Sequence, residues 1–418
     1  MTTFLHAADI HLDSPLVNLR LDDELGAAAI RGATRQALDN LVELALNEQV
    51  DFLLLAGDLY DGPWRDFNTG LFFIDRMQRL RKAGIRVFLI AGNHDAASRI
   101  TRALRLPDNV TLFPAERAQT EILEETGVAI HGRSYSRRAE TDNLALTYPD
   151  PVPGLLNIGL LHTALTGRQG HAPYAPCSLE DLRGRGYNYW ALGHVHQYEI
   201  LHRDPWIVFA GTPQGRHIRE AGPHGCCLVR AEAGQITEVA FTPLDAVRWQ
   251  QITVHCAGVA NSDVLRERIE EALNLAGDGA DGRSLVARVI LEGPCVLHGH
   301  LLAEQVFWEN EIRALATSSG DIFLESLHIR TSPANTGKAG PAPAIAIFAK
   351  PPQSLAPELV DDIFASPPLK ALERSLPPEI ERTDLFPLEE EHRRALLARA
   401  GDLIQAALDP TAGDDHSP

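Results

Sequence analysis

Residues 52–61 read FLLLAGDLYD, five apolar residues, a glycine and then Asp58. An apolar run of that length, bounded by turn residues, has the size of a strand buried on both faces. The glycine lets the chain turn sharply and present a carboxylate at the strand tip. The same device recurs. TFLHAA (3–8) leads into Asp9-Ile10-His11, residues 85–91 into Gly92-Asn93-His94-Asp95, LLNIGLLH (155–162) ends on His162, and YNYWALGHVH (187–196) ends on His194 and His196. Helical spacing fills the gaps between the first three runs, over about 23–47 and 67–83, with Gly84 as a C-terminal cap. Strand and helix in alternation predict an α/β domain whose ligands gather at the carboxyl ends of the strands.

Aspartate, asparagine and imidazole without thiolates suit Mn²⁺, Fe²⁺ or Zn²⁺ in a reactive site better than a structural zinc. Asp-x-His and His-x-His place two side chains on one side of an extended segment, so one strand tip can serve one metal or two neighbouring metals. Two such ions can clamp a phosphorus centre during in-line displacement, and a carboxylate between them can bridge them. Taken singly, each residue has an ordinary explanation. Asp95 reads as the N-cap of a helix at 96–105, His6 as a core or supporting residue, and His162 as a structural histidine. Five ligand-bearing strand ends in succession point to a two-metal site.

From residue 100 the pattern turns to shorter strands at 110–113, 121–123 and 128–132, and further strands are expected at 206–211 and 226–233. Residues 250–332 read as strand, helix, strand, helix, strand, a small α+β module in which His298 and His300 are expected to face solvent. Residues 333–354 are rich in Pro, Ala and Gly and read as a linker. Residues 355–418 carry amphipathic helices, with Leu359, Ile363 and Phe364 and later Leu396, Leu397, Leu403, Ile404 and Leu408, which either dock on a partner or close into a small bundle.

The net charge of −18 is divided unevenly, 24 basic against 30 acidic residues in 1–250 and 14 against 26 in 251–418. Global charge therefore lends a nucleic-acid substrate no support, though bound metal would offset part of the acidity in the first half. The five cysteines show no CxxC spacing. With no basic leader and no run near the ~18 apolar residues of a membrane helix, a cytoplasmic protein with reduced thiols is expected. Arg216, His217 and Arg219 are candidates for substrate phosphate. Arg133, Arg137 and Arg138 form a second basic cluster.

DIH at 9–11, GDLYD at 57–61, GNHD at 92–95, His162 in LLHT and GHVH at 193–196 together resemble the calcineurin-like metallophosphoesterase signature. More narrowly, HAADIHLDSP (6–15) and QGRHIREAGPHG (214–225) resemble the YhaO branch of the SbcD-type DNA-repair exonucleases. The resemblance implies a four-layer αββα sandwich over 1–249, a capping domain at 250–332 and a helical segment at 355–418 for partner docking. It also implies two divalent ions, Mn²⁺ in this family. Asp9, His11 and His196 would bind one and Asn93, His162 and His194 the other, with Asp58 as bridge. His94 would stand over the scissile phosphate as the catalytic residue. The implied activity is 3′→5′ exonuclease and endonuclease cleavage of DNA in double-strand-break repair. The implied partner is an SMC-like or AAA ATPase of the SbcC or YhaN kind, with homodimer pairing through catalytic-domain helices such as 67–83. Two other functions compete, a phosphoesterase for small phosphodiesters or nucleotides, and a chiefly architectural subunit of an ATPase complex on DNA ends.

Overall fold

The computed structural model describes residues 1–14, 16, 32–61, 67–97, 105–165, 174–334, 357–365, 393–394, 396–397 and 400. Strands β1 (Thr2–Ala7), β2 (Phe52–Ala56), β3 (Arg86–Ile90) and β4 (Val110–Leu112) lie side by side in parallel. The antiparallel β11 (Gly225–Glu232) and β12 (Gln235–Pro243) complete a six-stranded sheet in the order β12-β11-β1-β2-β3-β4. A second sheet, in the order β5-β6-β7-β8-β10-β9, is built from β5 (Gln119–Leu123), β6 (Val128–Gly132), β7 (Leu156–His162), β8 (Tyr189–Gly193), β9 (Glu199–Arg203) and β10 (Trp206–Phe209). Strands β6, β7, β8 and β10 are parallel and the two edge strands antiparallel.

Side-chain parity explains why β2 is apolar throughout. Phe52, Leu54 and Ala56 join the core between the two sheets, with Phe4, Phe88, Ile130, Ile158, Leu160 and Tyr189. Leu53 and Leu55 point the other way, onto helices α1 (Ala33–Asn47) and α2 (Phe67–Lys82), where Leu38, Leu41, Phe73, Met77 and Leu80 receive them. A strand covered on both faces loses the alternation of a half-buried one, and each buried Phe or Leu contributes about 1.5–3 kcal/mol. Rings knit the centre, with Phe4 stacked on Phe52 at 4.9 Å and edge-on to Tyr189 at 5.5 Å. The outer face of the second sheet buries Trp190, Leu192, Ile207 and Phe209 with Tyr135, Tyr148 and Leu182, the last from helix α3 (Leu179–Arg183). The resulting α/β sandwich is the expected four layers, the fourth made of this short helix and loops rather than long crossover helices.

Strands β13 (Val247–His255), β14 (Ser284–Cys295) and β15 (Ile322–Pro333) form a three-stranded sheet in that order. The described residues fall into two compact units. The first takes Met1–Gln251 with Gly277–Ala287 and Asp321–Glu325, and the second takes Ile252–Ala276, Arg288–Gly320 and the described residues from Ser326 onward. Inside the second unit, helices α4 (Ser262–Asp278) and α6 (Gln305–Ser318) turn Leu265, Ile269 and Leu273, and Trp308 and Ile312, inward. Arg266 ties them together through Glu311 at 2.9 Å.

Several expectations are corrected or bounded here. His298 does not face solvent. It is buried, it opens helix α5 (His298–Ala303) just after a two-residue turn at Val296 and Leu297, and its Nδ1 meets Thr331 Oγ1 at 2.9 Å. His300 lies edge-on to Trp308 at 6.1 Å. Asp95 caps no helix at 96–105. It begins a single 3₁₀ turn, Asp95–Ala97, and residues 98–104 lie outside the described residues. The helix expected from residue 23 is described from Ala33, with 17–31 outside the described residues. Of the linker and tail, 335–356 and most of 366–418 lie outside them too, while Pro357–Phe364 is helix α7. Strands β9 and β12 were not foreseen. All five cysteines are free and buried. Among the described residues no helix is long and apolar enough to cross a membrane.

Candidate metal centre

Because β1, β2 and β3 are neighbours in one sheet and β7 and β8 in the other, five strand tips converge. Asp9 N–H donates to Gly57 O at 3.0 Å and His11 N–H to Asp58 O at 3.1 Å, which locks the first two tips together. His194 N–H donates to Asp9 Oδ2 at 2.8 Å, which ties the second sheet to the first. Glycines make this approach feasible. A Cβ on Gly92 would overlap Asp58 Oδ1, and one on Gly193 would overlap the carbonyl of Ala56. Asp9, His11, Asp58 and His194 all hold positive φ, 51°, 45°, 49° and 99°, a conformation that costs energy in residues other than glycine. Asp95 clamps the tips from below, its carboxylate accepting from the backbone N–H groups of Leu59, Tyr60 and Gly92 at 3.0–3.1 Å. Tertiary donors outcompeted the local cap that the sequence suggested. Burial, reinforced by the charge of Asp58, pushes the Asp95 carboxyl up to about 7. His6 is a buried support under β8, bonded to Tyr189 Oη and Leu192 O.

The structure gathers the candidate ligands into two groups, Asp9 with His11 and His196, and Asp58 with His162 and His194, the ligand atoms of each group lying within 4.8 Å of one another. His11 Nε2 and His196 Nε2 face each other at 3.3 Å. Asn93 Oδ1 reaches His162 Nε2 at 3.0 Å and His194 Nδ1 at 3.2 Å. His94 forms a third such group with His11 and Asp61, its side chain 27% exposed and its Nδ1 2.9 Å from Asp61 Oδ1. The bond to Asp61 raises its pKa against the effect of burial.

These residues fit cations on three counts. Asp9 Oδ1 is buried with no hydrogen-bond partner among the described residues, and burial raises its pKa. His162 donates Nδ1–H to Ala56 O at 2.9 Å, so its Nε2 lone pair faces only oxygens, Asn93 Oδ1 at 3.0 Å and Asp58 Oδ2 at 3.4 Å. Acceptors so arranged need a cation or a proton between them. Burial alone would lower the His162 pKa, but Asp58 and Asp9 carry it up to about 9. Burial likewise opposes ionisation of Asp58, and His162 and His11 overcome that and hold its pKa below the usual carboxylate range. The His11 imidazole is held neutral by burial and by Arg216, as a metal ligand requires.

The sign of the pH dependence follows from His162. Its folded pKa lies above the unfolded ~6.5, so in metal-free protein its charge stabilises the fold fully below about pH 6.5. That contribution is lost as pH rises through about 9. A divalent ion that takes the place of the proton must expel it. Calorimetric titration with Mn²⁺ at pH 7.5, in buffers of different ionisation enthalpy, should show release of about one proton per chain or more, falling off above pH 9.5. Heats independent of buffer would contradict the placement of an ion on His162 Nε2.

Of the basic candidates, Arg216 and His217 lie among the site's side chains. Arg216 is 14% exposed, and its guanidinium meets Ser14 Oγ at 3.2 Å and Asp61 Oδ2 at 3.4 Å. His217 Nε2 lies 3.6 Å from Glu220. Arg219 is exposed. Arg133 is spent on Ala115 O and Thr147, whereas Arg138 is exposed and its charge is felt at His94. Sequence reasoning missed three contributors. Asp61 orients His94. Glu220 accepts from His196 Nδ1 at 2.6 Å, its pKa drawn down to about 2 by His196 and Arg216 against burial. The ring of Tyr174 stands 5.8 Å from that of His194. Only Asp61 had a local signal, its place three residues after Asp58.

Residues 2–198 match the calcineurin-like phosphoesterase family, and residues 249–332 match the middle domain of the metallophosphoesterase YhaO. The metallophosphoesterase YhaO of Bacillus subtilis strain 168 is 34% identical over 295 residues, covering 70% of this chain and 72% of that one. The chain belongs to the calcineurin-like metallophosphoesterases, with the YhaO middle domain. This metallophosphoesterase is also similar to the DNA double-strand break repair protein Mre11 of Methanopyrus kandleri, 26% identical over 63% of this chain and 61% of that one. For Mre11 of Sulfurisphaera tokodaii the figures are 24%, 72% and 76%. A dimetal phosphatase from Danio rerio matches with TM-score 0.34 at 14% identity, over 55% of this chain and 92% of that chain. The enzyme is a metal-dependent phosphoester hydrolase.

Proposed function

We propose that this enzyme is a Mn²⁺-dependent DNA nuclease, cleaving phosphodiesters from 3′ to 5′ in double-strand-break repair. The observation that carries the reading is the pair of ligand groups, Asp9 with His11 and His196 and Asp58 with His162 and His194, with the partly exposed His94 braced by Asp61 beside them. Asp9, His11, His196 and Asp58 would hold one ion, and Asn93, His162, His194 and Asp58 the other. When bound, two divalent ions polarise the phosphoester and make water a competent nucleophile near neutral pH. The chain's own residues do the rest. His94 keeps Nδ1–H on Asp61 and turns Nε2 outward, where it stabilises the charge developing on phosphate and protonates the leaving oxygen. The raised His94 pKa keeps that proton available. Arg138 and Tyr174, beside His94 and His194, offer a cation and a ring to a polynucleotide. The Mre11 relatives support DNA as the substrate. We propose further, on the sequence resemblance, that it works in the cytoplasm with an SMC-like or AAA ATPase of the SbcC or YhaN kind and pairs with a second copy of itself.

The acidic balance of −18 favours a second reading, hydrolysis of small phosphodiesters or nucleotides. One assay separates the two. The protein with Mn²⁺ is offered 3′-labelled duplex DNA, single-stranded DNA and bis(p-nitrophenyl) phosphate. Shortening of both DNAs from the labelled end is expected, and turnover of the small ester with both DNAs intact would sink the nuclease reading.

A further inference from the structure

Of the four candidate ligand histidines, three make no hydrogen bond from Nδ1 to a carboxylate. His162 gives it to a backbone carbonyl, His194 to Asn93, and His11 Nδ1 is 3.9 Å from Asp61. His196 differs. Its Nδ1 lies 2.6 Å from Glu220 Oε1. The other oxygen, Oε2, accepts from the backbone N–H of Arg216 at 2.7 Å, and the Arg216 guanidinium lies 3.9 Å from Oε1. The Glu220 side chain is only 9% exposed. Its backbone is fixed as well, its N–H on His217 O at 2.8 Å and its carbonyl on His224 Nε2 at 2.9 Å.

We propose that Glu220 is a positioning residue that fixes His196 in its ligating tautomer and fastens the Arg216 loop to the same metal position. The inference rests on the two-metal reading above. A carboxylate can only accept, so it holds the ring proton on Nδ1 and leaves the Nε2 lone pair for a cation. The same anion raises the basicity of the ring. Because its second oxygen holds the Arg216 backbone N–H and its first lies 3.9 Å from the guanidinium, the Arg216 side chain is kept beside His196. Filling of one metal position and alignment of the phosphate-facing arginine are thereby linked through one side chain.

Glu220→Gln is the sharp test because it keeps the shape. An amide can turn its NH₂ toward Nδ1, which drives the ring proton to Nε2 and cancels the ligand. Mn²⁺ binding to the full chain is followed by the paramagnetic resonance of free ion, in the wild type, Glu220→Gln, His196→Ala and the double variant. Glu220→Gln should weaken one of two ions by roughly 10–100-fold and leave the other unchanged. In the His196→Ala background it should add nothing. Unchanged affinity, equal weakening of both ions, or a full additional loss on top of His196→Ala would overturn the proposal. Glu220→Asp, which keeps an acceptor, should bind that ion more tightly than Glu220→Gln, and the reverse ranking overturns it even if the amide variant folds poorly. A wild type that binds no Mn²⁺ defeats the two-metal reading itself, which is a different outcome from two ions indifferent to Glu220.

Discussion

Asp58→Asn should cost about 10²–10³-fold in kcat, the loss seen when a group aimed at developing charge is removed, and should empty both metal positions together. Asp58 is 2% exposed, with Oδ2 3.4 Å from His162 Nε2 and Oδ1 accepting from His94 N–H at 2.9 Å. An asparagine has one acceptor where the carboxylate has two. Whichever way the amide turns, an NH₂ faces either the His94 N–H or the His162 Nε2 position. Removing the charge also removes the larger of the two carboxylate effects that raise the His162 pKa, leaving Asp9 to oppose burial without it. A ligand serving one ion alone, such as His196, should cost less. Metal analysis beside single-turnover kinetics decides the matter. Retention of both ions in Asp58→Asn would refute the bridging assignment.

His94→Ala should behave differently, with kcat lower by roughly 10²–10⁴-fold, the span of general acid–base catalysis, and both ions still bound. The ring is 27% exposed, and Asp61, the carboxylate it meets, is also bonded to Ser14 and Arg216. The loss should shrink on a substrate whose leaving group needs no proton, so bis(p-nitrophenyl) phosphate should be hydrolysed with a smaller defect than DNA. A fall in metal content along with activity would make His94 a ligand, a role its place near His11 and Asp61 makes geometrically open.

The scaffold and the ligand-bearing tips were legible because each depends on neighbours in sequence. Apolar runs such as FLLLA predict strands covered on both faces, and the turn that follows each run announces its polar cargo. Strands β9 and β12 were illegible for the converse reason. They lie at sheet edges, half-covered, and EILHR and QITEVAFTP mix polar with apolar residues. Glu220 resembled a surface acid beside an arginine. What sets it apart is its distance to His196, 24 positions away in the chain, and that distance arises only when the loop after β10 folds back over the tip of β8. Asp95 shows the same limit, since its donors at Leu59 and Tyr60 lie in the segment that follows β2, some 35 positions away. His298 was misplaced because a glycine-flanked histidine reads as a turn when it is in fact the first residue of a packed helix.

The positive φ angles at Asp9, His11, Asp58 and His194 set the enzyme's working parts against its own thermostability. Each such residue costs on the order of 1 kcal/mol or more, and two of these positions carry carboxylates crowded near each other in the interior. The ions repay that cost when they bind. For an engineer, screening metal-free protein for heat resistance would therefore steer mutations into the catalytic tips, replacing them with glycine or asparagine and selecting an inert fold. Screening with the metal present would keep those positions off limits and push improvement into the sheets and helices instead.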